Sequence, residues 1–485
     1  MIRLIFLVFL LFSPLKQLLS QDVKAFLEFA SSKEKEFNEF YNRVDKDITQ
    51  LLKEKWEMFE TMHSKIEIRK FPDSPVKFDE DSANQKSSGS QLIIDSTYIN
   101  TDTNTDADKE EISPVKEVNI PIKTEKPVNT ENEDLSEVNF FGEKFFFNEN
   151  HISDLKLIST TEEEVSDFYK NITQSDNSSI LRVLKVAREK YSYPDWSVYL
   201  LAKKISEQLF EDSGARAILE MYLLNKTGFD SRICRNNGRI FLMIPTSEII
   251  YGYSYLVFEG KDYYIMGNIT GPIYTYGKST SNNLVPMNLR YNQINLPKKL
   301  ISKTLNISEV EISVTVNKNL IDMLNEFPDM HFSSYCKVPF SKELEESLIN
   351  NLKDKTAGMG KVDALNFLLK FVQNSFEYKT DNLQFGKERV LFADEIFHYP
   401  YSDCEDRSIL FSMLVRKILQ LDVALVNYPN HLATAVNLNT EHINGDYFII
   451  NGQKFIVCDP TYINAPAGES MPEIREESAK LYLLD

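Results

Sequence analysis

The chain has 485 residues, of which 42% are hydrophobic, and a formal charge of −18 at pH 7. This length and apolar content suffice for about two or three domains with at least one sizeable core, so we expect a protein that is globular in the main. Because so acidic a surface repels phosphate groups, the charge excludes nucleic acids and anionic membranes as expected partners.

The first 20 residues, MIRLIFLVFLLFSPLKQLLS, predict an export signal peptide. Arg3 precedes an apolar run that Pro14 interrupts, and the expected cleavage point lies near Ser20. A single membrane span is the alternative, but the run is short for a bilayer and its far flank is polar. We therefore expect residues 1–20 to be removed. The mature chain would then reach the periplasm, the extracellular side or the cell envelope without an integral membrane segment.

Residues 21–69 predict an amphipathic helix. Apolar residues between Phe37 and Phe59 recur at intervals of three and four, which places them on one face. A helix docked on the core is the favoured interpretation. The alternative is a membrane-surface or coiled-coil helix, through which the protein could contact a cell-envelope partner.

Residues 70–137 predict a flexible linker, and residues 138–340 predict a mixed, β-rich accessory region. The linker is poor in aromatic residues and rich in Pro, Asp, Asn, Thr and Ser, so it cannot bury enough apolar area to offset chain entropy. In the accessory region, helical patterns around residues 163–189 and 196–224 precede short β-rich segments such as RIFLMIP and VEISVTV. We find no catalytic constellation in this region.

Four cysteines are too few to form a disulfide framework in an exported chain of this length, so they indicate a thiol site instead. They are Cys234, Cys336, Cys404 and Cys458. One structural pair between Cys234 and Cys336 stays open from the sequence. Cys458 lies inside an alternating strand pattern and is expected in the core, so Cys404 is the candidate reactive thiol.

Residues 341–485 predict one compact α+β unit, with a helix over residues 360–378 and a second that begins at the motif YSDCEDRSILFSMLVRK. Ser402 or Asp403 is a suitable N-cap, so Cys404 lies in the first turn of a buried helix. The helix dipole and the first-turn N–H groups favour a thiolate there. The neighbouring acidic residues oppose the thiolate, so the anion needs a positive partner.

His431 and Asp459 complete the predicted site. His431 opens the alternating segment HLATAVNL, and Asp459 ends the strand KFIVC just before Pro460. With Cys404 as nucleophile, His431 as base and Asp459 as orienter, the order suits thiol acyl transfer. The two strands must be antiparallel neighbours for this to work. We therefore predict that NTEHING is an excursion and that DYFII runs in the same sense as HLATAV, because a simple meander would separate the pair.

The start of the same helix also predicts an oxyanion hole. The backbone N–H of Cys404 is one expected donor, and Tyr399 and Tyr401 are candidates for a second donor or for pocket walls, with His398 as a weaker alternative. No metal and no cofactor are expected. The other histidines lack metal-ligand spacing, and no oxygen-rich loop accompanies the acids beside Cys404.

The run YSDCEDRSILFSMLVRKILQL, followed by NHLATAV and KFIVCDPTY, resembles the transglutaminase-like superfamily, in particular the exported transglutaminase-domain proteins of the Bacteroidetes. The likeness covers about residues 340–475. It implies a papain-like C-terminal core with Cys404, His431 and Asp459 as a catalytic triad. It also implies attack on an amide of a protein or peptide substrate, with hydrolysis favoured over cross-linking to lysine.

Two positions depart from the pattern of this superfamily. Gln420 and Leu421 stand where many relatives have glycine after the helix, and Asn430 stands before the histidine where a small residue is common. The alternative function is a non-catalytic scaffold or peptide-binding module of the cell envelope with the same fold.

Overall fold

The computed structural model describes residues 39, 42–65, 75–78, 89–95, 99–100, 135–278, 284–307, 310–439 and 443–484. The proposed signal peptide, residues 1–20, lies outside this part of the chain. Helices and mainly antiparallel sheets occur together, so the protein is of the mixed α+β class, as predicted. Within the described ranges, no helix has the length and apolar character needed to cross a bilayer.

Helices and strands follow one another in groups along the described chain. The helices are α1 (42–53), α2 (Glu162–Gln174), α3 (Ser178–Lys190), α4 (Asp195–Leu209), α5 (Ser213–Lys226), α6 (Lys318–Leu324), α7 (Phe332–Tyr335), α8 (Lys342–Leu344), α9 (Asn350–Thr356), α10 (Lys361–Ser375), α11 (Asp381–Gln384), α12 (Ala393–His398) and α13 (Cys404–Leu414). A 3-10 turn covers Ile152–Asp154, and π-helical turns cover Glu345–Ile349 and Val415–Leu419. The strands are β1 (Glu57–Phe59), β2 (Met62–His63), β3 (Ile99–Asn100), β4 (Ser136–Phe140), β5 (Glu143–Phe147), β6 (Arg232–Asn236), β7 (Arg239–Pro245), β8 (Ser254–Phe258), β9 (Lys261–Ile265), β10 (Ile273–Thr275), β11 (Leu300–Ile307), β12 (Val310–Asn317), β13 (Glu377–Tyr378), β14 (Tyr401–Ser402), β15 (Val423–Tyr428), β16 (His431–Asn437), β17 (Tyr447–Ile450), β18 (Gln453–Cys458) and β19 (Lys480–Leu484).

The N-terminal helix is shorter than the predicted span of 21–69. Its apolar face is buried in the core, as the favoured interpretation expected, through Val44, Ile48, Leu51 and Leu52. The prediction is wrong for residues 54–65, because β1 and β2 are the two edge strands of a seven-stranded sheet, and this tertiary pairing overrides the helical period. Residues 21–38 lie outside the described ranges.

The accessory region, residues 138–340, contributes five strands to that antiparallel sheet, whose order is β1-β10-β6-β7-β9-β8-β2, and its described residues form six helices, α2 to α7. Each of the two predicted helical stretches is divided into two helices. The side chains of Thr161 and Asp212 cap α2 and α5 by accepting backbone N–H groups. The apolar period continues through the break, so the sequence pattern predicted one helix where the cap at Asp212 starts a second one.

The C-terminal sheet has the order β17-β18-β16-β15-β19-β3. Strand β18 lies between β16 and β17 and is antiparallel to both, so β17 runs in the same sense as β16. This confirms the strand arrangement that the predicted pair of His431 and Asp459 requires. Residues 440–442, inside the predicted excursion, lie outside the described chain.

Helix α13 packs on one face of this sheet, and the core it belongs to crosses the proposed boundary at residue 340. One continuous hydrophobic cluster includes residues from α1, from the accessory helices and from α13. Across the boundary, Cys336 Sγ lies 3.3 Å from Ser412 Oγ, and Arg416 donates to the Cys336 carbonyl at 3.2 Å. No disulfide links any of the four cysteines, all of which are described and buried, so Cys234 and Cys336 do not pair.

Short pieces of the proposed linker, residues 70–137, are part of the C-terminal sheet. Strand β3 pairs in parallel with β19, and parallel bridges join Lys77 to Ile463, Gln91 to Tyr447 and Ile94 to Ala479. Leu92 is buried against the face of the sheet opposite α13. For these pieces the prediction of a flexible linker is wrong, because their few apolar side chains cover that face. The rest of the linker lies outside the described residues.

Candidate functional site

Cys404 is the first residue of α13, and its side chain is fully buried. Asp403 is the N-cap: its carboxylate accepts the N–H groups of Glu405 at 3.2 Å and Asp406 at 3.5 Å. The Asp406 carboxylate accepts the Asp403 N–H at 3.4 Å in return. This capping box fixes the helix start and places the sulfur at the positive end of the helix dipole.

His431 and Asp459 form a buried pair. The register of β16 and β18 sets Thr434 opposite Cys458, and this brings the start of β16 beside the residue after β18. His431 Nε2 and Asp459 Oδ2 are 2.7 Å apart, and both side chains are buried. Asp459 Oδ1 accepts the N–H of Thr461 at 2.9 Å, which fixes the carboxylate. The second imidazole nitrogen, Nδ1, therefore faces away from Asp459.

The start of α13 lies at the same end of the sheet as this pair. Ser408, one helical turn after Cys404, donates from its hydroxyl to the carbonyl of Leu432 at 2.8 Å. Asn427, which faces Leu432 across the two strands, lines one cavity together with Glu405. Helix α13 and β16 are therefore in contact one helical turn after Cys404 and one residue after His431.

Gln373 and Arg407 connect the two halves of the site through α10. The buried Arg407 guanidinium donates to the Phe376 carbonyl at 2.8 Å, to Ser402 Oγ at 3.1 Å and to the Gln373 carbonyl at 3.4 Å. Gln373 Nε2 in turn lies 3.1 Å from the Asp459 carbonyl. The strand before Cys404 and the loop that carries Asp459 are therefore held by the same stretch of chain.

Glu405 lies directly against the sulfur. Cys404 Sγ donates to Glu405 Oε2 at 2.5 Å, and Glu405 also lines a cavity of about 60 Å³. Since a water molecule occupies about 30 Å³, this cavity admits only a small group until its walls move.

Several other buried carboxyl groups surround the start of α13. Burial, followed by the charge of Asp406, raises the pKa of Asp381 to about 9. Burial also raises the pKa of Asp406 to about 7 and the pKa of Asp403 well above its usual range. A cluster of this kind shares protons near neutral pH, because adjacent buried carboxylates cannot all ionise. A protonated carboxyl beside the sulfur opposes a thiolate much less than a charged one.

Two overlapping groups of these residues could hold a cation. Asp403, Cys404 and Glu405 form one, and Asp381, Asp403 and Asp406 form the other, with ligand atoms within 4.8 Å of one another in each. The acids beside Cys404 are visible in the sequence, whereas Asp381 comes from an earlier segment and joins them only in the fold. Burial raises the pKa values of Asp381, Asp403 and Asp406 and so favours their protonated forms, and the expectation of no metal stays a prediction.

The tyrosines proposed as oxyanion donors occupy less suitable places. The Tyr399 hydroxyl donates to Asn325 Oδ1 at 2.7 Å, so it is directed to the accessory region. Tyr401 is half-buried, and the Lys379 ammonium lies 4.8 Å from the centre of its ring. His398 ends α12 with its ring 5.1 Å from that of Tyr399. The Tyr399 hydroxyl is thus engaged by Asn325, and a donor role for either tyrosine stays a prediction.

Tyr378 is a site residue that the sequence analysis missed, because the predicted helix over 360–378 included it. Helix α10 ends at Ser375, and Tyr378 pairs with Ser402 across the parallel strands β13 and β14. Its pKa lies well above the usual value because of burial and then the negative charges of Cys404, Asp403 and Glu405. The short segment FEYKT after the helix carried no periodic signal that could have revealed this strand.

The start of α13 carries a thiol, and the neighbouring strand β16 begins with an imidazole that a buried carboxylate orients. An imidazole held in this way can take a proton from a thiol and return it to a leaving group. Comparisons of the chain with protein-family models, with curated proteins and with solved structures find no match.

Proposed function

We propose that the protein is an exported thiol acyl-transfer enzyme, a cysteine peptidase or amidase of transglutaminase-like type. Cys404 would attack an amide carbonyl of a protein or peptide, with His431 as general base and Asp459 as the group that orients the imidazole. The observation that carries the proposal is the 2.7 Å contact between His431 Nε2 and Asp459 Oδ2 at the end of the sheet where α13 begins with Cys404.

The fold supports a papain-like description of the C-terminal core. Helix α13 packs on the antiparallel strands β16 and β15, and its first residue is the cysteine. In a triad the helix supplies the nucleophile and the sheet supplies the base, so the two reacting groups come from rigid elements. The likeness in residues 340–475 adds the expectation that water, rather than an amine, accepts the acyl group.

The reaction proceeds through a thioester. His431 Nδ1 takes the proton from Cys404 Sγ, and the sulfur forms a bond to the carbonyl carbon while the oxygen takes up the electron pair. When the carbonyl re-forms, the C–N bond breaks and the amine leaves with the proton from the imidazolium. Water then attacks the thioester carbon and gives a proton to His431; the C–S bond breaks, and the imidazolium returns the proton to the sulfur, so that the acid is released and the thiol is restored. Asp459 holds the imidazole in one orientation throughout.

A thiol-labelling experiment tests the proposal. Iodoacetamide at a limiting concentration near pH 6 should label wild-type protein rapidly at Cys404, and it should label His431→Ala slowly, because a paired thiolate is the reactive form. The other cysteines give little background: burial raises the pKa of Cys336 to about 11 and raises the pKa values of Cys234 and Cys458 further. Cys404→Ser is the control for site identity. Equal, slow labelling of wild type and His431→Ala would contradict the proposal.

A non-catalytic scaffold or peptide-binding module is the second candidate. The full burial of Cys404 and its contact with Glu405 favour it, because a nucleophile needs access to substrate. The apolar face of residues 42–53 is buried in the core, so this part of the N-terminal helix does not support contact with a cell-envelope partner. Peptide-library cleavage and incorporation of a labelled amine then separate hydrolysis from cross-linking and both from a scaffold.

A further inference from the structure

We propose that the hydroxyl group of Tyr378 is the side-chain donor of the oxyanion hole, acting together with the backbone N–H of Cys404. The inference rests on the proposed function, because an oxyanion develops only if Cys404 attacks a carbonyl group. It assigns a catalytic role to a residue outside the Cys404, His431 and Asp459 triad.

The strand pairing fixes where Tyr378 lies. In the parallel pair of β13 and β14, Tyr378 is opposite Ser402, which comes just before the N-cap of α13. The Tyr378 ring lies 5.5 Å from the guanidinium carbon of Arg407, and Arg407 is held by Ser402 Oγ and by the Phe376 carbonyl. The ring is therefore fixed against the first turn of α13, the turn that begins with Cys404.

The hydroxyl group has the hydrogen-bonding state that this role requires. The Tyr378 oxygen is buried and has no hydrogen-bond partner among the described residues. A buried polar group without a partner costs stability, so such a group in a native protein calls for an explanation. A donor reserved for an oxygen that becomes charged only during the reaction provides one.

The charges around Tyr378 keep its proton in place. Burial and the neighbouring Cys404, Asp403 and Glu405 raise the pKa of Tyr378, so the hydroxyl stays protonated wherever Cys404 reacts. It can therefore donate to an anion and cannot act as the base in place of His431. The hydroxyl of Tyr399, a candidate donor from the sequence, already donates to Asn325.

The chemical step balances without any further reactant. As the Cys404 sulfur bonds to the carbonyl carbon, the oxygen takes up the electron pair, and the Tyr378 O–H and the Cys404 N–H both donate to it. When the C–N bond breaks, the oxygen re-forms its double bond and both donors keep their protons. Tyr378 thus stabilises charge without transferring a proton.

Tyr378→Phe tests the inference with two reagents that report different steps. Iodoacetamide alkylates the sulfur without forming an oxyanion, whereas p-nitrophenyl acetate acylates it through one. We expect the alkylation rate to stay within about twofold of wild type and the acylation rate to fall about 100-fold, as for loss of one oxyanion donor. The melting temperature should stay equal or rise, because the variant removes a buried hydroxyl that has no partner.

Tyr274→Phe is the matched control, since it removes the hydroxyl of an exposed tyrosine on β10 of the seven-stranded sheet, and both of its rates should match wild type. Equal acylation rates for Tyr378→Phe and wild type would overturn the inference and leave the proposed function intact. An equal fall in both rates would also overturn it, because the tyrosine would then only position Cys404. A wild-type protein that reacts with neither reagent would overturn the proposed function, and this inference with it.

Discussion

Gln373 and Asp459 are joined by a hydrogen bond of 3.1 Å from the glutamine side-chain nitrogen to the aspartate carbonyl. The same nitrogen lies 2.8 Å from the Tyr462 carbonyl and 3.0 Å from the Ala465 carbonyl, and Gln373 Oε1 accepts the Asn464 N–H at 3.1 Å. One buried side chain on α10 therefore orders the whole loop that presents the Asp459 carboxylate to His431.

Replacing Gln373 with leucine should weaken both the fold and the site. The loop carbonyl groups would stay buried without a donor, which costs about 1 to 3 kcal/mol for each such group. We expect a lower free energy of unfolding in chemical denaturation and slower labelling of Cys404 by iodoacetamide. Asn374→Leu is the control, because Asn374 is exposed on the same helix and donates only to the Lys370 carbonyl. Equal stabilities of the two variants would contradict the prediction.

Asp459→Asn should separate the two roles of this side chain. The amide oxygen can still accept the N–H of Thr461, so we expect the unfolding free energy to change by less than about 1 kcal/mol. The amide nitrogen, however, donates towards His431 Nε2 and favours the wrong tautomer of the imidazole. By analogy with serine triads, the acylation rate should fall at least about 100-fold. An acylation rate equal to that of wild type would mean that Asp459 serves the loop alone.

The acid cluster makes stability depend on pH in a defined direction. The pKa of Asp381 is raised from 3.8 to about 9 in the folded protein. Its stabilising contribution is therefore complete below about pH 4 and is lost as the pH rises towards 9. Asp406, whose pKa is raised to about 7, loses its stabilising contribution as the pH rises from about 4 to 7. We expect the free energy of unfolding to fall between pH 5 and pH 8, by at most about 1.4 kcal/mol per pH unit for each retained proton.

Asp381→Asn checks this expectation by denaturation at both pH values. The amide oxygen can keep the hydrogen bond from the Arg389 N–H, while the ionisable group is lost. The variant should match wild type near pH 5 and be more stable at pH 8. Asp354→Asn, at an exposed position on α9, is the control and should follow the wild-type profile. A wild-type profile that is flat or rises over this range would contradict the prediction.

Glu405→Gln should make Cys404 more reactive at neutral and alkaline pH. The carboxyl group accepts from the sulfur at 2.5 Å, and in its ionised form it opposes the thiolate by charge repulsion. A neutral amide removes this repulsion, so we expect about a threefold to tenfold higher alkylation rate at pH 8 and a smaller difference near pH 5. Glu377→Gln, which alters an exposed residue of β13, controls for net charge. A slower variant at pH 8 would show that Glu405 assists the thiolate instead.

The sequence was sufficient for the strand arrangement but not for the surroundings of the sulfur. Alternation in HLATAV, the Asn451-Gly452 turn and Pro460 after Asp459 each specify a local structure, and together they required the order that β16, β17 and β18 adopt. Tyr378 could not be found in this way, because a two-residue strand has no period to detect. Asp381 could not be found either, since only the folded chain brings it to Asp406.

The proposed linker illustrates a different limit. Residues 70–137 contain only a few apolar side chains among many polar ones, and the average composition of the segment therefore predicts an unfolded chain. The structure places Leu92 and Phe78 on the face of the sheet opposite α13, where the Phe78 ring lies 5.6 Å from that of Tyr462. Burial of a small number of well-placed side chains is enough to order short pieces, and composition alone does not report their positions.

Leu92→Ala should therefore destabilise the C-terminal unit although it lies in the proposed linker. Leu92 is 5% exposed, and a buried leucine that is cut back to alanine costs about 2 to 5 kcal/mol. The neighbouring Ile93 is 55% exposed, so Ile93→Ala should cost less than about 0.5 kcal/mol. Both are measured as the change in free energy of unfolding by chemical denaturation. Equal, negligible changes in both variants would support a flexible linker. The expected difference would show that residues 89–95 stabilise the sheet that carries His431 and Asp459.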